Sequence, residues 1–181
     1  MTFSTDTNGS KEFYDEFHGT TTMYKSLFKK PNTKVVPLTK RITKNAVSMS
    51  ILLVLFIVLY FMSFDKFALF VVAFLAAVEV LMLSLLIITN KLIRQEMARA
   101  VPSEVTIDNN GIQFENDNGV FKMNWKKTRF ILINKYSIVF APMDKNAISL
   151  ALDTDCKDLV LEGLKEVGKE GLVVDNTDLY K

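Results

Sequence analysis

The sequence has few of the side chains that build metal and nucleophilic sites. It contains one histidine, His18, and one cysteine, Cys156. Because structural zinc sites use several cysteine and histidine ligands, this composition argues against a dedicated zinc centre. A single cysteine also excludes an internal disulfide, which suits a cytoplasmic domain. We expect His18 to be a surface or packing residue and Cys156 to be a small core residue.

Motifs of several enzyme classes are also missing, since the sequence has no P-loop, no GxSxG and no HExxH. The spacing Asp153-x-Asp155-x-x-Asp158 lacks the glycine and the final glutamate of a calcium loop. Acids in a first helical turn are favoured by the helix dipole without any metal. We therefore predict no catalytic residues, no cofactor and no metal. The slight acidity of residues 103–181 argues against a nucleic-acid partner.

Two long apolar runs dominate the middle of the chain. They cover residues 46–64 and 67–88, and Glu79 is the only charged residue inside them. A helix of about 20 residues spans the roughly 30 Å hydrocarbon core of a bilayer. Neither run has the polar face expected of a helix in a soluble protein. We predict two transmembrane helices, at 46–64 and 67–88, joined by a turn at Asp65 and Lys66.

Basic residues flank this hairpin on both sides. Seven lysines and arginines and no acid lie between residues 21 and 45, and three more basic residues follow the second run, against Glu96 alone. The positive-inside rule then places both termini in the cytoplasm. The first 45 residues have no apolar core with a cleavage site, so we expect the first helix itself to direct insertion.

Glu79 is unusual because it is the one charged residue inside the two predicted transmembrane helices. A carboxylate at the bilayer centre costs about 2.5–3.5 kcal/mol on insertion scales, so we expect Glu79 to be protonated or hydrogen-bonded. One interpretation is a proton or partner site. The other is a neutral acid bonded to Ser50, to Ser84 or to its counterpart in a second copy. Ala73 and Ala77 form a small-residue face that favours a homo-oligomer through the second helix.

An amphipathic helix is predicted before the hairpin. Apolar side chains recur at helical spacing in residues 10–30, Ser10 is a suitable N-cap, and Pro31 ends the segment. Two placements are open: an interfacial helix with lysines near anionic lipid, or a helix packed on the C-terminal domain. The residues before this helix are either disordered or a short added strand. Residues 32–45 are predicted to be a basic connector.

After a charged helical stalk at residues 89–102, the pattern changes from helical to strand-like. Six short alternating segments lie between residues 104 and 152, separated by turn signals. A helix capped by Asp153 or Thr154 follows, and residues 171–181 form a polar tail. The predicted fold is therefore a membrane α-helical hairpin plus an α+β domain at residues 103–170. That domain is a small antiparallel sheet or open barrel, capped by the C-terminal helix.

Basic side chains surround the only tryptophan of the chain. Lys122, Lys126, Lys127 and Arg129 lie within four residues of Trp125. One interpretation of this combination is contact with lipid headgroups or with a partner. The alternative is that these cations only solubilise an exposed sheet face.

This order of elements resembles the YcxB-like family of small bacterial membrane proteins, over about residues 12–167. The resemblance rests on Asn110-Gly111-Ile112, on Asn124-Trp125, on the Lys135-Tyr136-Ser137 turn and on the Ala141-Pro142 step. It implies a pleckstrin-homology-like domain, a bacterial cytoplasmic membrane and no established enzyme activity. The resemblance leads us to expect a basic-aromatic run at residues 143–147. These residues are more polar, so we do not assign to them the role that this loop has in the family.

We accordingly expect a non-enzymatic membrane protein whose pleckstrin-homology-like domain binds a protein or the membrane surface. The binding surface is expected at an open sheet edge or in the groove beside residues 153–169. A stalk that holds the domain near the bilayer raises its effective concentration for membrane partners. One alternative is self-protection against a membrane-active peptide, and another is a small transporter or channel subunit that uses Glu79. The expected partners are membrane lipid, an unidentified protein and a second copy of the chain.

Overall fold

The computed structural model describes residues 1–5, 9–63, 66–144, 147 and 149–180. In chain order, the helices and strands of these residues are β1 (Thr2–Thr5), α1 (Lys11–Lys29), α2 (Leu38–Ser63), α3 (Lys66–Arg99), β2 (Ser103–Ile107), β3 (Gly111–Asn116), β4 (Gly119–Asn124), β5 (Thr128–Ile133), β6 (Ser137–Pro142), β7 (Leu150–Asp153), α4 (Lys157–Glu166) and β8 (Val173–Asp175). The chain forms a helical hairpin, Leu38–Arg94, and a β-rich unit, Met1–Pro37 with Gln95–Lys181. The structure is therefore of the α+β class.

Nine residues in predicted segments lie outside the described residues. They are residues 6–8 of the N-terminal segment, Phe64 of the first predicted transmembrane helix, Asp65 of the predicted turn, Lys145 and Asn146 of the predicted loop, Ile148 of the last predicted strand, and Lys181 of the predicted polar tail.

The helical hairpin consists of α2 and most of α3. Both helices are long and apolar enough to cross a membrane, and only 6% of each apolar window is buried. Such exposed apolar helices indicate a membrane protein. The predicted connector at residues 32–45 is wrong from Leu38 onward, where α2 already begins. Residues 38–45 contain no glycine or proline, so nothing interrupts the helix before the apolar run.

The β-rich unit contains two four-stranded sheets among the described residues. One sheet has the order β1-β2-β3-β4 and is antiparallel. The other has the order β7-β6-β5-β8, and β8 lies parallel to β5. Of the two possibilities for the residues before α1, the structure has the added strand, β1, whereas the edge strand β8 was not predicted. β8 forms in the predicted polar tail because Val173 and Val174 pair beside Ile131 and Leu132.

Strand β5 carries an almost continuous apolar run because it lies between two cores. Ile131 and Ile133 face the core that β2, β3 and α4 also enter, whereas Phe130 and Leu132 face a second core beside α1. A strand buried on both faces reads as a continuous apolar segment rather than as an alternating one. The sheet β7-β6-β5-β8 is thus the middle layer of the β-rich unit.

Helix α1 packs on this middle sheet. Ser10 caps it as predicted, accepting a hydrogen bond from the Phe13 N–H at 3.1 Å. Tyr24 and Leu27 are buried in the second core, so this part of the apolar stripe contacts protein. Of the two predicted placements, the structure has the packed helix.

Helix α4 covers the other core. Asp153 accepts a hydrogen bond from the Asp155 N–H at 3.2 Å, and a 3-10 turn over Thr154–Cys156 then leads into α4. Val160 and Leu164 are fully buried in the first core. The predicted helix therefore forms, although its α-helical part begins only at Lys157.

Candidate functional site

A cleft of about 630 Å³ lies within the β-rich unit. Its walls come from β1, the start of α1, the last turn of α3, the end of β3, and the segment from β7 into α4. These segments are distant in sequence, so the cleft exists only because β1 and α1 pack on the C-terminal strands. The volume lies within the roughly 300–1,000 Å³ range of small-molecule sites.

Two sheet edges border this cleft. Ser4 and Thr5 of β1 line it, as do Ala151, Leu152 and Asp153 of β7. Among the described residues, β1 pairs only with β2, and β7 pairs only with β6. An edge strand presents unpaired backbone N–H and C=O groups. The cleft therefore has backbone donors and acceptors along its border in addition to side chains.

Carboxylates outnumber cations on the cleft wall. Glu96, Asp153 and Asp155 line it, whereas Arg99 is the one lysine or arginine among the described lining residues. The Glu96 Oε2 atom lies 2.7 Å from His18 Nε2, so Glu96 has a partner on α1. Asp155 is exposed, and its carboxylate faces a site with little compensating positive charge. The cleft thus favours a positively charged ligand.

Two titratable groups on the wall are held in their neutral forms. Burial, assisted by the charge of Glu96, raises the pKa of the Tyr14 hydroxyl. Burial, assisted by Asp153 and Asp155, raises the pKa of the Cys156 thiol. A thiol with a raised pKa is a poor nucleophile at neutral pH. These groups are suited to packing and hydrogen bonding with a ligand.

The structure brings together two of the three residues predicted as a polar site in the membrane helices. The Ser50 hydroxyl donates a hydrogen bond to Glu79 Oε1 at 2.8 Å. Ser84 instead donates to the carbonyl of Val80 in its own helix, also at 2.8 Å. The second oxygen of Glu79 is buried and has no hydrogen-bond partner among the described residues. The site is therefore a Ser50–Glu79 pair between α2 and α3.

The predicted headgroup site does not form as a unit. Trp125 is only 6% exposed, and its indole N–H donates to the Asp108 carbonyl at 2.7 Å, so Trp125 is a core residue. Including it among the surface contacts was wrong, because Trp125 begins the 3-10 turn after β4 and is buried together with Met123 of β4. The four cations Lys122, Lys126, Lys127 and Arg129 are exposed. The Arg129 guanidinium lies 5.2 Å from the centre of the Phe28 ring.

The remaining candidates are the acidic residues that the sequence analysis considered as a cation site. In the part of the chain that the structure describes, no three histidine, cysteine or acidic residues cluster as metal ligands. Asp153 caps the 3-10 turn that contains Asp155, and Asp158 lies in the first turn of α4. Sequence reasoning missed Tyr14, Glu96 and Arg99 as cleft residues. Their charges and polarity are visible in the sequence, but no local pattern indicates that they converge.

Comparisons of the chain with protein-family models, with curated proteins and with solved structures find no match. The cleft and the two apolar helices therefore carry the evidence for function.

Proposed function

We propose that this chain is a non-enzymatic bacterial membrane protein whose β-rich unit binds a protein partner in the cleft. The observation that carries the proposal is the cleft of about 630 Å³ with sheet edges along its border. Free strand edges, apolar side chains and carboxylates are the groups that recognise a protein segment. Small-molecule substrates, by contrast, would need a convergent reactive constellation for turnover.

The hairpin supports the anchoring part of the proposal. Basic residues on both flanks favour a cytoplasmic location for the N and C termini. Helix α3 runs without interruption from the apolar run to Arg99, and Glu96 follows Ile88 by eight residues, roughly 12 Å of helix. A domain joined to the membrane by so short a segment meets membrane-bound partners at a raised effective concentration.

A pleckstrin-homology-like fold and membership of the YcxB-like family are part of this proposal. Two sheets and the helix α4, which inserts Val160 and Leu164 into the core, support both. Self-association through α3 also remains a proposal, and the exposure of Ala73, Ala77 and Ser84 supports it. Self-protection against a membrane-active peptide and transport through Glu79 are the alternative functions.

Contact with anionic lipid is a second candidate function of the β-rich unit. It is favoured by the exposure of Lys122, Lys126, Lys127 and Arg129. Each basic side chain near an anionic surface contributes about 1 kcal/mol. Trp125 takes no part in this candidate, since it is buried in the core.

Site-specific photocrosslinking tests the protein-binding function. A photoreactive amino acid replaces Leu159, which lines the cleft and is 38% exposed, in the full chain in native membranes. The control position is Met143, which is 50% exposed and lies outside the cleft. We expect a discrete crosslinked product from position 159 and none from position 143. No product from position 159, or the same products from both positions, would contradict the proposal.

A further inference from the structure

We propose that the cleft binds an extended protein segment of alternating basic and apolar residues, which adds as a strand to the free edge of β7. This inference rests on the proposed function and names the ligand class of the same site. Four observations carry it: the unpaired edge, the apolar wall, the excess of carboxylates and the position of Arg99.

The backbone of β7 supplies the first element of recognition. On one side it pairs with β6 in a continuous antiparallel register from Ser137↔Asp153 to Phe140↔Leu150. On the other side, no backbone hydrogen bond reaches it from the described residues. Its four residues offer roughly 13 Å of edge for an added strand. Added strands obtain affinity from main-chain hydrogen bonds and specificity from alternate side chains.

The cleft wall then selects among side chains. Phe13, Tyr14, Phe114 and Leu159 provide apolar and aromatic surface. In an extended segment, successive side chains point to opposite faces, so every second residue packs against one wall. Apolar side chains of the bound segment are therefore expected at alternate positions.

The charged side chains of the cleft select the residues at the remaining positions of the bound segment. Asp153 is the last residue of β7, and Asp155 follows it two residues later; both line the cleft. Glu96 adds a third carboxylate on the wall, with His18 as its partner. Lysine or arginine side chains of the bound segment compensate the two aspartates. A uniformly basic segment would also meet Arg99, so the alternating pattern fits better than a polybasic one.

Peptide binding to the full chain in a neutral detergent tests this inference. The probes are two fluorescently labelled octapeptides with blocked termini, one of alternating lysine and valine and one of alternating glutamate and valine. Fluorescence anisotropy is expected to give a dissociation constant about tenfold lower for the lysine peptide, or better. Equal affinities would overturn the inference, because they would show apolar association without charge selection.

A matched pair of charge reversals locates the binding. Asp155→Lys, in the cleft, is expected to weaken the lysine peptide about tenfold and to tighten the glutamate peptide. Asp158→Lys makes the same charge change in the first turn of α4 outside the cleft, and we expect an effect of less than about twofold. Thermal unfolding of both variants checks that they fold alike. Equal effects of the two substitutions would overturn the cleft as the site.

N-methylated versions of the lysine peptide test strand addition. In an antiparallel pair, the N–H groups of alternate residues face the neighbouring strand. Methylation of all lysine N–H groups and methylation of all valine N–H groups should therefore have unequal effects, with one set losing about tenfold or more in affinity. Equal effects would overturn the β7 edge as the docking strand.

The peptide-binding and crosslinking results together distinguish a failure of this inference from a failure of the proposed function on which it rests. Absence of peptide binding together with a crosslink at position 159 would overturn the ligand class alone. Absence of both would overturn protein binding in the cleft as well.

Discussion

Glu16 of α1 accepts a hydrogen bond from the Ser137 hydroxyl at 2.8 Å. The same carboxylate oxygen accepts a second hydrogen bond, also at 2.8 Å, from the Tyr136 N–H. The Glu16 side chain is fully buried, so both bonds are shielded from water. They fix α1 to the turn between β5 and β6, which makes the N-terminal helix an integral part of the β-rich unit.

Replacing Glu16 by alanine should destabilise the β-rich unit strongly. The substitution leaves the Tyr136 N–H and the Ser137 hydroxyl without their acceptor, and we expect a loss of about 2–4 kcal/mol in the free energy of unfolding. Chemical denaturation in detergent measures it. Glu12→Ala, on the exposed side of the same helix, is the matched control and should cost less than about 1 kcal/mol. Equal losses would show that the hydrogen bonds of Glu16 contribute nothing beyond those of a surface acid.

Glu16 should also make the free energy of unfolding depend on pH. Burial raises the pKa of Glu16 above its ordinary value of 4.5, against the lowering effect of the hydrogen bonds from Tyr136 and Ser137. The folded state therefore binds the proton more tightly than the unfolded state. The contribution of Glu16 is fully present below pH 4.5 and is lost as the pH rises through the raised pKa.

We therefore expect the stability of the wild type, relative to Glu16→Gln, to fall as the pH rises above 4.5. The comparison cancels the effects of Asp108 and Asp175, whose pKa values are lowered in both proteins. Unfolding free energies at several pH values measure the slope. A relative stability that rises with pH would mean that the pKa of Glu16 is lowered instead.

Gly19 should be intolerant of alanine although it lies within a helix. A Cβ atom at this position would come within 2.5 Å of the Val36 carbonyl oxygen. The backbone before Pro37 would have to move, so we expect Gly19→Ala to cost about 1–3 kcal/mol despite the better helix propensity of alanine. Gly171→Ala is the control, since no atom of the described residues lies within 4 Å of its Cβ position. A stabilised Gly19→Ala protein would contradict the close contact between α1 and residues 36–37.

Loss of the Ser50 hydroxyl should weaken the helical hairpin. It removes the hydrogen bond to Glu79, and interhelical hydrogen bonds in membranes contribute about 0.6–1.7 kcal/mol. Ser84→Ala is the control, because among the described residues the Ser84 hydroxyl bonds only within α3. Unfolding of both variants by a denaturing detergent in mixed micelles measures the difference. Equal stability of the two would mean that the Ser50–Glu79 bond has no net effect.

The features that the sequence predicts correctly are those with a local cause. The apolar runs, the Ser10 cap and the alternation of β2 and β3 depend on neighbouring residues, and all of them appear in the structure. The alternation that places Met123 inside also indicates a buried Trp125. The basic residues around the tryptophan led instead to a surface interpretation.

The features that the sequence does not predict depend on contacts between distant segments. β8 is too short to be recognised alone and forms by pairing with β5, and β1, one of two possibilities for its segment, forms by pairing with β2. Gly19 reads as a weak point of α1, although it allows the close approach of Val36. Glu16 shares a helical stripe with Phe13 and Leu27, which signals burial, but only the fold supplies its partners.

The most direct measurement is cysteine labelling in bacterial spheroplasts, because it tests whether a membrane hairpin holds the β-rich unit in the cytoplasm. In a Cys156→Ala background, one variant carries Lys66→Cys at the start of α3, and the other carries Asp158→Cys on the exposed side of α4. A membrane-impermeant maleimide is expected to label position 66 in intact spheroplasts and position 158 only after lysis. Labelling of position 158 before lysis, or recovery of the unlysed protein in the soluble fraction, would contradict the anchored arrangement.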